Sequence, residues 1–210
     1  LSSVNSDYNN DLHSWAQIER QVKNIAKAGF THIQWIHDWD GEYLYSPSEM
    51  FQVRDLLRDC GLNAHTIHAS EGGKRTVIRD GVPVFRNGER FSEIRKDYTS
   101  ANEYTRLAGV DLLKNRIDLC SHIGASAMVL HMQMPWQWFE ENPQNKEDYF
   151  RQVYKSFDEI APYAKAAGVR IALENLICTP MRLQEEQFDR MFDRYDDDFL
   201  GFTFDSGHAT

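Results

Sequence analysis

Ala167-Gly168-Val169-Arg170-Ile171-Ala172-Leu173-Glu174-Asn175 is the stretch on which the fold turns. The glycine closes a helix-period segment, as a left-handed C-terminal cap does. Strand-like alternation follows, with Val169, Ile171 and Leu173 on one face and Ala172 and Glu174 on the other. The bulky face suits a layer of helices, and the small or acidic face suits the lining of a barrel that holds a site. The same parity recurs twice. Phe202 and Phe204 oppose Gly201, Thr203 and Asp205, and Ile33 and Trp35 oppose His32, Gln34 and Ile36.

Working outward, strand-like and helix-period segments alternate along the whole chain. Strands are expected over 1–5, 30–37, 62–68, 125–131, 169–175 and 200–205. Between them run helical stripes: Trp15 to Ala26, Ser46 to Leu57, Ala101 to Cys120, Phe150 to Ala164 and Leu183 to Tyr195. Residues 77–91 interrupt the pattern with Asp80-Gly81 and Asn87-Gly88, both tight-turn pairs, and are expected to form a hairpin-like loop insertion that acts as a lid or an oligomer contact. Strict alternation implies parallel strands with right-handed crossovers. No glycine-rich phosphate fingerprint follows the first strand, which counts against a dinucleotide-binding sheet and a nucleotide cofactor. The fold class expected is α/β, a (β/α)8 TIM barrel of which about six βα units lie within one domain over residues 1–210.

Composition narrows the function. The 210 residues are 41% hydrophobic and carry a net charge of −9, a globular chain with an acidic balance that argues against a nucleic-acid backbone as partner. Three cysteines, Cys60, Cys120 and Cys178, lie far apart, suggesting neither a disulfide framework nor a thiolate metal site. No apolar run reaches the ~18 residues of a membrane span. A cytoplasmic protein acting on a small molecule is expected, with a homo-oligomer as an open possibility.

Polar residues gather where the strands end: His37 and Asp38, His68, His131, Glu174 and Asn175, then Asp205 and His208. In a parallel α/β protein all these ends open on one face, where ligands bind. A lone His68 or His131 would more often be a hydrogen-bonded core histidine than a ligand. Glu174 is harder to assign to packing, because an unpaired carboxylate at the end of an apolar strand is costly to bury. Together they point to one divalent metal. Imidazole and carboxylate donors suit Mn2+, Mg2+, Co2+ or Zn2+. Such an ion would polarise a carbonyl or alkoxide oxygen while a carboxylate moves a proton at the neighbouring carbon. Trp39 and Trp136 follow strand ends, where an indole could stack on the apolar face of a sugar.

Four stretches, Ala28-Gly29-Phe30-Thr31-His32-Ile33-Gln34, Ala108-Gly109-Val110 through Ile123-Gly124-Ala125, Ala167 through Asn175, and Asp205-Ser206-Gly207-His208, resemble the xylose isomerase-like TIM-barrel superfamily of sugar isomerases and epimerases, relatives of the apurinic endonucleases. The resemblance implies that Glu174 and Asp205 are metal ligands, that Glu174 is also a catalytic acid/base, and that His208 meets a substrate oxygen or a further metal. His68 and His131 would line the pocket or ligate metal, and Asn175 would contact substrate. It implies a metal-dependent isomerase or epimerase of a sugar, sugar phosphate or polyol. Two further βα units would supply the remaining partners, so the chain is expected to be truncated at its C-terminal side. Histidines at both 68 and 131 also fit a zinc-dependent apurinic endonuclease-like phosphodiesterase. A third reading is a non-catalytic carbohydrate-binding barrel.

Overall fold

The computed structural model describes residues 2–4, 14–72, 76–85, 88, 90, 94–177 and 179–209. Eight strands are described: β1 (Ser2–Val4), β2 (His32–Trp35), β3 (Asn63–His68), β4 (Thr76–Arg79), β5 (Val82–Phe85), β6 (Ala127–Leu130), β7 (Arg170–Glu174) and β8 (Leu200–Thr203). The helices are α1 (Trp15–Lys27), α2 (Pro47–Asp59), α3 (Glu103–Ile123), α4 (Trp136–Glu141), α5 (Pro143–Ala167) and α6 (Met181–Phe192).

The helix ends follow from local chemistry. Ser14 with Gln17, and Ser46 with Glu49, form reciprocal capping boxes, and Pro47 opens α2 where its missing N–H costs nothing. α3 and α5 stop on left-handed glycines, Gly124 and Gly168. The short α4 lies outside the expected elements. Asn142 separates it from α5 by capping Gln144, and Pro143 starts the new helix, so α5 begins seven residues before Phe150, where its apolar stripe becomes readable.

Six strands form one sheet in the order β1-β2-β3-β6-β7-β8, every neighbouring pair parallel. Chain order and spatial order coincide, with no reversal. A doubly wound sheet reverses at a switch point; a barrel does not. The fold is therefore of the α/β barrel kind. Ile33, Trp35, Ile67, Met128, Leu130, Ile171 and Leu173 point into the buried layer beneath the helices. β3 changes parity midway: Ile33 pairs with Ala64 but Gln34 with Thr66, a bulge that absorbs His65. The bulge puts Leu62, Ala64 and Ile67 with the core and leaves His68 on the cavity face.

One expectation of parity fails at the last strand. Phe202 and Phe204 are 50% and 65% exposed instead of lying beneath helices. β8 is the edge of the described sheet, and α6 meets it at Phe188, whose ring lies 5.1 Å from that of Phe202. The strand also ends at Thr203, so Phe204 lines the cavity.

The insertion is a two-stranded antiparallel hairpin, β4 with β5, turning at Asp80-Gly81, both with positive φ (52° and 79°). Of residues 77–91, residues 86, 87, 89 and 91 lie outside the described residues, Asn87 of the second turn pair among them. Arg90 is paired with Asp97 at 3.0 Å and donates to Thr99. Cys60 and Cys120 are free thiols; Cys178 lies outside the described residues. Among the described residues no helix is long and apolar enough to cross a membrane.

Candidate metal and substrate site

At the C-terminal ends of β3, β6 and β7 three side chains converge. His131 Nε2 donates to Glu174 Oε2 at 2.7 Å. His68 Nε2 lies 3.1 Å from His131 Nε2 and 3.6 Å from the same carboxylate oxygen. His68 Nδ1 lies 2.9 Å from the carbonyl of Ala69. A carbonyl can only accept, so Nδ1 carries a proton and Nε2 is the nitrogen turned to the cluster. Glu174 is only 7% exposed. Burial would raise its pKa, but hydrogen bonds from His131 and His68, with their charge, overcome that and hold the carboxyl well below the usual range.

The edge of the sheet adds a second group. Asp205 begins the turn Ser206–His208 and accepts Gly207 N–H on Oδ1 at 2.6 Å. His208 Nδ1 donates to the carbonyl of Asn175 at 2.9 Å and lies 3.4 Å from Glu174 Oε1, and its Nε2 lies 3.8 Å from Asp205 Oδ2. Glu174 thus presents one oxygen to the His68–His131 pair and the other toward His208.

These donors fit a divalent cation. In each of two sets, His68 with His131 and Glu174, and Glu174 with Asp205 and His208, the candidate ligand atoms all lie within 4.8 Å of one another. Two ligands about 2.1 Å from a common ion are separated by about 3–3.5 Å, the scale of the observed spacings. In His68 and His208 a backbone carbonyl fixes one ring nitrogen, the outer support typical of functional imidazoles.

The cavity over the cluster measures about 390 Å³, within the range of small-ligand sites. Trp39 forms one wall, its ring 5.1 Å from that of His68 and 5.6 Å from that of His131. The loop carrying Trp39 is fastened from beneath by Arg116 of α3. This fully buried guanidinium donates to the carbonyls of Asp38 and Tyr43 at 3.1 and 3.0 Å and to Asn115 Oδ1 at 2.9 Å, and lies 4.9 Å from the Tyr45 ring centre. Asp38 takes a left-handed conformation (φ 57°) to make the turn, its carboxylate held by Tyr45 and close to His37.

The structure brings His68, His131, Glu174, Asp205, His208 and Trp39 to one cavity. It does not bring the others. Asn175 spends its side-chain amide on the backbone of Asp205. Trp136 lines a separate groove with Phe139 and Leu183, and Gly88 lies against its indole so closely that a Cβ there would fall 2.4 Å from Nε1. His37 and Asp38 serve the loop behind Trp39. Gln34, Thr203, Phe204 and Ser206 also line the cavity. Strand parity marked Gln34 and Thr203 as inward. It misplaced Phe204, and nothing local in the sequence marked Ser206.

Comparison with known proteins agrees with this architecture. The family model described as "Xylose isomerase-like TIM barrel" matches residues 22–210. The uncharacterized protein y4fM of Sinorhizobium fredii (strain NBRC 101917 / NGR234) is 33% identical over 192 residues, covering 91% of this chain and 60% of that protein. Among solved structures, a D-tagatose 3-epimerase-like protein superposes with a TM-score of 0.68 at 19% identity, over 99% of this chain and 65% of that one. D-psicose 3-epimerase gives 0.66 at 15% identity, over 99% and 63%. The 3-keto-D-glucoside 4-epimerase of E. coli gives 0.59 at 16% identity, over 95% and 67%. The chain thus spans 60% of the curated relative and just under two thirds of the first two solved structures.

Proposed function

We propose that this chain, which belongs to the xylose isomerase-like TIM-barrel family, carries most of the site of a divalent-metal-dependent epimerase or isomerase acting on a small ketose or polyol. The observation behind the reading is that strands β3, β6 and β7 and the turn after β8 direct three imidazoles and two carboxylates into one cavity. Core packing requires no such set. That structurally similar proteins include sugar epimerases supports the same reaction class.

His68, His131, Glu174 and Asp205 are the residues that would hold the ion. Bound there, a divalent ion would supply a Lewis acid for a carbonyl or hydroxyl oxygen and so acidify the adjacent C–H. The protein's own groups do the rest. Glu174, kept anionic by its two histidine partners, is one of two acid/base groups: it exchanges the proton on its own face of the carbon, and inversion needs a second group on the opposite face. His208, held by the Asn175 carbonyl, presents Nε2 to a sugar hydroxyl. Trp39 and Phe204 offer apolar surface to the C–H faces and keep water from them.

The test is proton exchange at carbon. The full protein with Mn2+ is incubated with D-fructose, D-psicose, D-tagatose and L-ribulose in D2O. Deuterium should enter the carbon next to the ketone, stop on chelation and return with Mn2+. Absence of exchange from all four, or exchange that survives both chelation and Glu174→Gln, contradicts the reading.

A further inference from the structure

We propose that Asn175 is a positioning residue whose side chain replaces a rung of the sheet and thereby sets Asp205 and His208 against Glu174. The inference rests on the metal-site reading above and extends it to a residue that touches neither ion nor sugar.

The argument begins with ladder register. β7 and β8 pair in parallel, Ile171 with Leu200 through Glu174 with Thr203, and Ile171 N–H donates to the Phe199 carbonyl at 2.9 Å. Continued regularly, that pattern would send the Asp205 N–H to the backbone carbonyl of Asn175. The chain departs from it. Asp205 N–H donates at 2.7 Å to the side-chain Oδ1 of Asn175, and Asn175 Nδ2 returns a bond at 2.9 Å to the Asp205 carbonyl. A primary amide has one acceptor and an in-plane donor, so it can grip both polar groups of one residue's backbone.

The substitution has two consequences. The backbone carbonyl of Asn175, released from the ladder, accepts His208 Nδ1–H at 2.9 Å. One residue therefore holds the Asp205 main chain by its side chain and the His208 ring by its main chain. The strand also ends at Thr203, which leaves Asp205 free to cap the Ser206–His208 turn and to share a compact donor set with Glu174 and His208. Asn175 is buried and follows Glu174 directly, so the amide transmits the position of one metal-facing carboxylate to the other.

Other side chains cannot perform both halves. Alanine offers neither bond, and aspartate keeps the acceptor but sets a second oxygen against the Asp205 carbonyl. In the chelator-stripped full protein titrated with Mn2+ by calorimetry, well below the melting temperature, Asn175→Ala should weaken binding about 10–100-fold, the scale of outer-shell losses. A purely structural role would lower the melting temperature and leave the folded protein's affinity unchanged. Mn2+ affinity within twofold of the wild type would overturn the proposal, whereas a wild type that binds no Mn2+ would overturn the metal-site reading itself. Amide hydrogen exchange of Asp205 in the wild type needs no variant. That N–H should be protected although it lies past the end of β8, and exchange at the rate of an open loop would contradict the staple.

Discussion

The buried end of β3, β6 and β7 and the exposed edge beyond β8 hold comparable donor groups in different ways. At the first, each ligand candidate stands at the end of a strand whose other face is core, and Glu174 is covered by its neighbours. At the second, Asp205 and His208 sit on a turn at the sheet's edge, secured by Asn175, beside two phenylalanines that are at least half exposed. The difference teaches where precision comes from. The inner cluster inherits its geometry from sheet packing; the outer pair depends on a few hydrogen bonds, because no further described strand holds it from the other side.

Mutations can break or sharpen that contrast. The largest effect is expected at the residue common to both groups: Glu174→Gln should lower kcat/KM on a reactive ketose by about 10³-fold or more, since it removes a ligand and an acid/base group together. Retained turnover would contradict the role of Glu174 as ligand and acid/base group. Next comes the support beneath Trp39. Arg116→Ala takes a fully buried guanidinium and its three hydrogen bonds from beneath the loop and opens a cavity, so urea denaturation should show a loss of roughly 3–5 kcal/mol. A loss below about 1 kcal/mol would mean the loop is held otherwise.

Trp39→Ala removes one wall but no ligand. It should raise KM about tenfold with a smaller change in kcat, the scale of an aromatic contact; an equal fall in both kcat and kcat/KM would assign the indole to the transition state. The smallest effect lies far from the site. Hydrogen bonds from Arg106, then Lys155, draw the Glu103 carboxyl down to about 2 from an ordinary 4.5. A depressed carboxyl stabilises the fold above its unfolded value and ceases to do so as pH falls through the folded one. The melting-temperature difference between wild type and Glu103→Gln should therefore be small at pH 7 and shrink between about pH 4.5 and 2.

Much of the inner cluster was legible in the sequence because its information is local. Parity over 169–175 placed Glu174 inward, and strand ends placed His68 and His131 beside it. The edge was less legible. Phe202 and Phe204 follow the same alternation, but which face is covered depends on what packs over β8, a long-range fact. Asn175 reads as a substrate contact from its position after Glu174, yet its amide is spent on a residue 30 positions later. Only the register of β7 against β8 reveals that. The bulge at His65 is likewise invisible locally, though it decides the direction of His68. Trp136 shows the reverse error, a strand-end aromatic carried into another groove by a helix that no apolar stripe announced.

The central claim is that the strand-end cluster is a metal site organised on Glu174. Calorimetric titration of Mn2+ into the chelator-stripped full protein, with Glu174→Gln alongside, tests it most directly. The account predicts saturable binding by the wild type and loss of that binding in the variant; no binding by the wild type, or equal affinity in both, would contradict it.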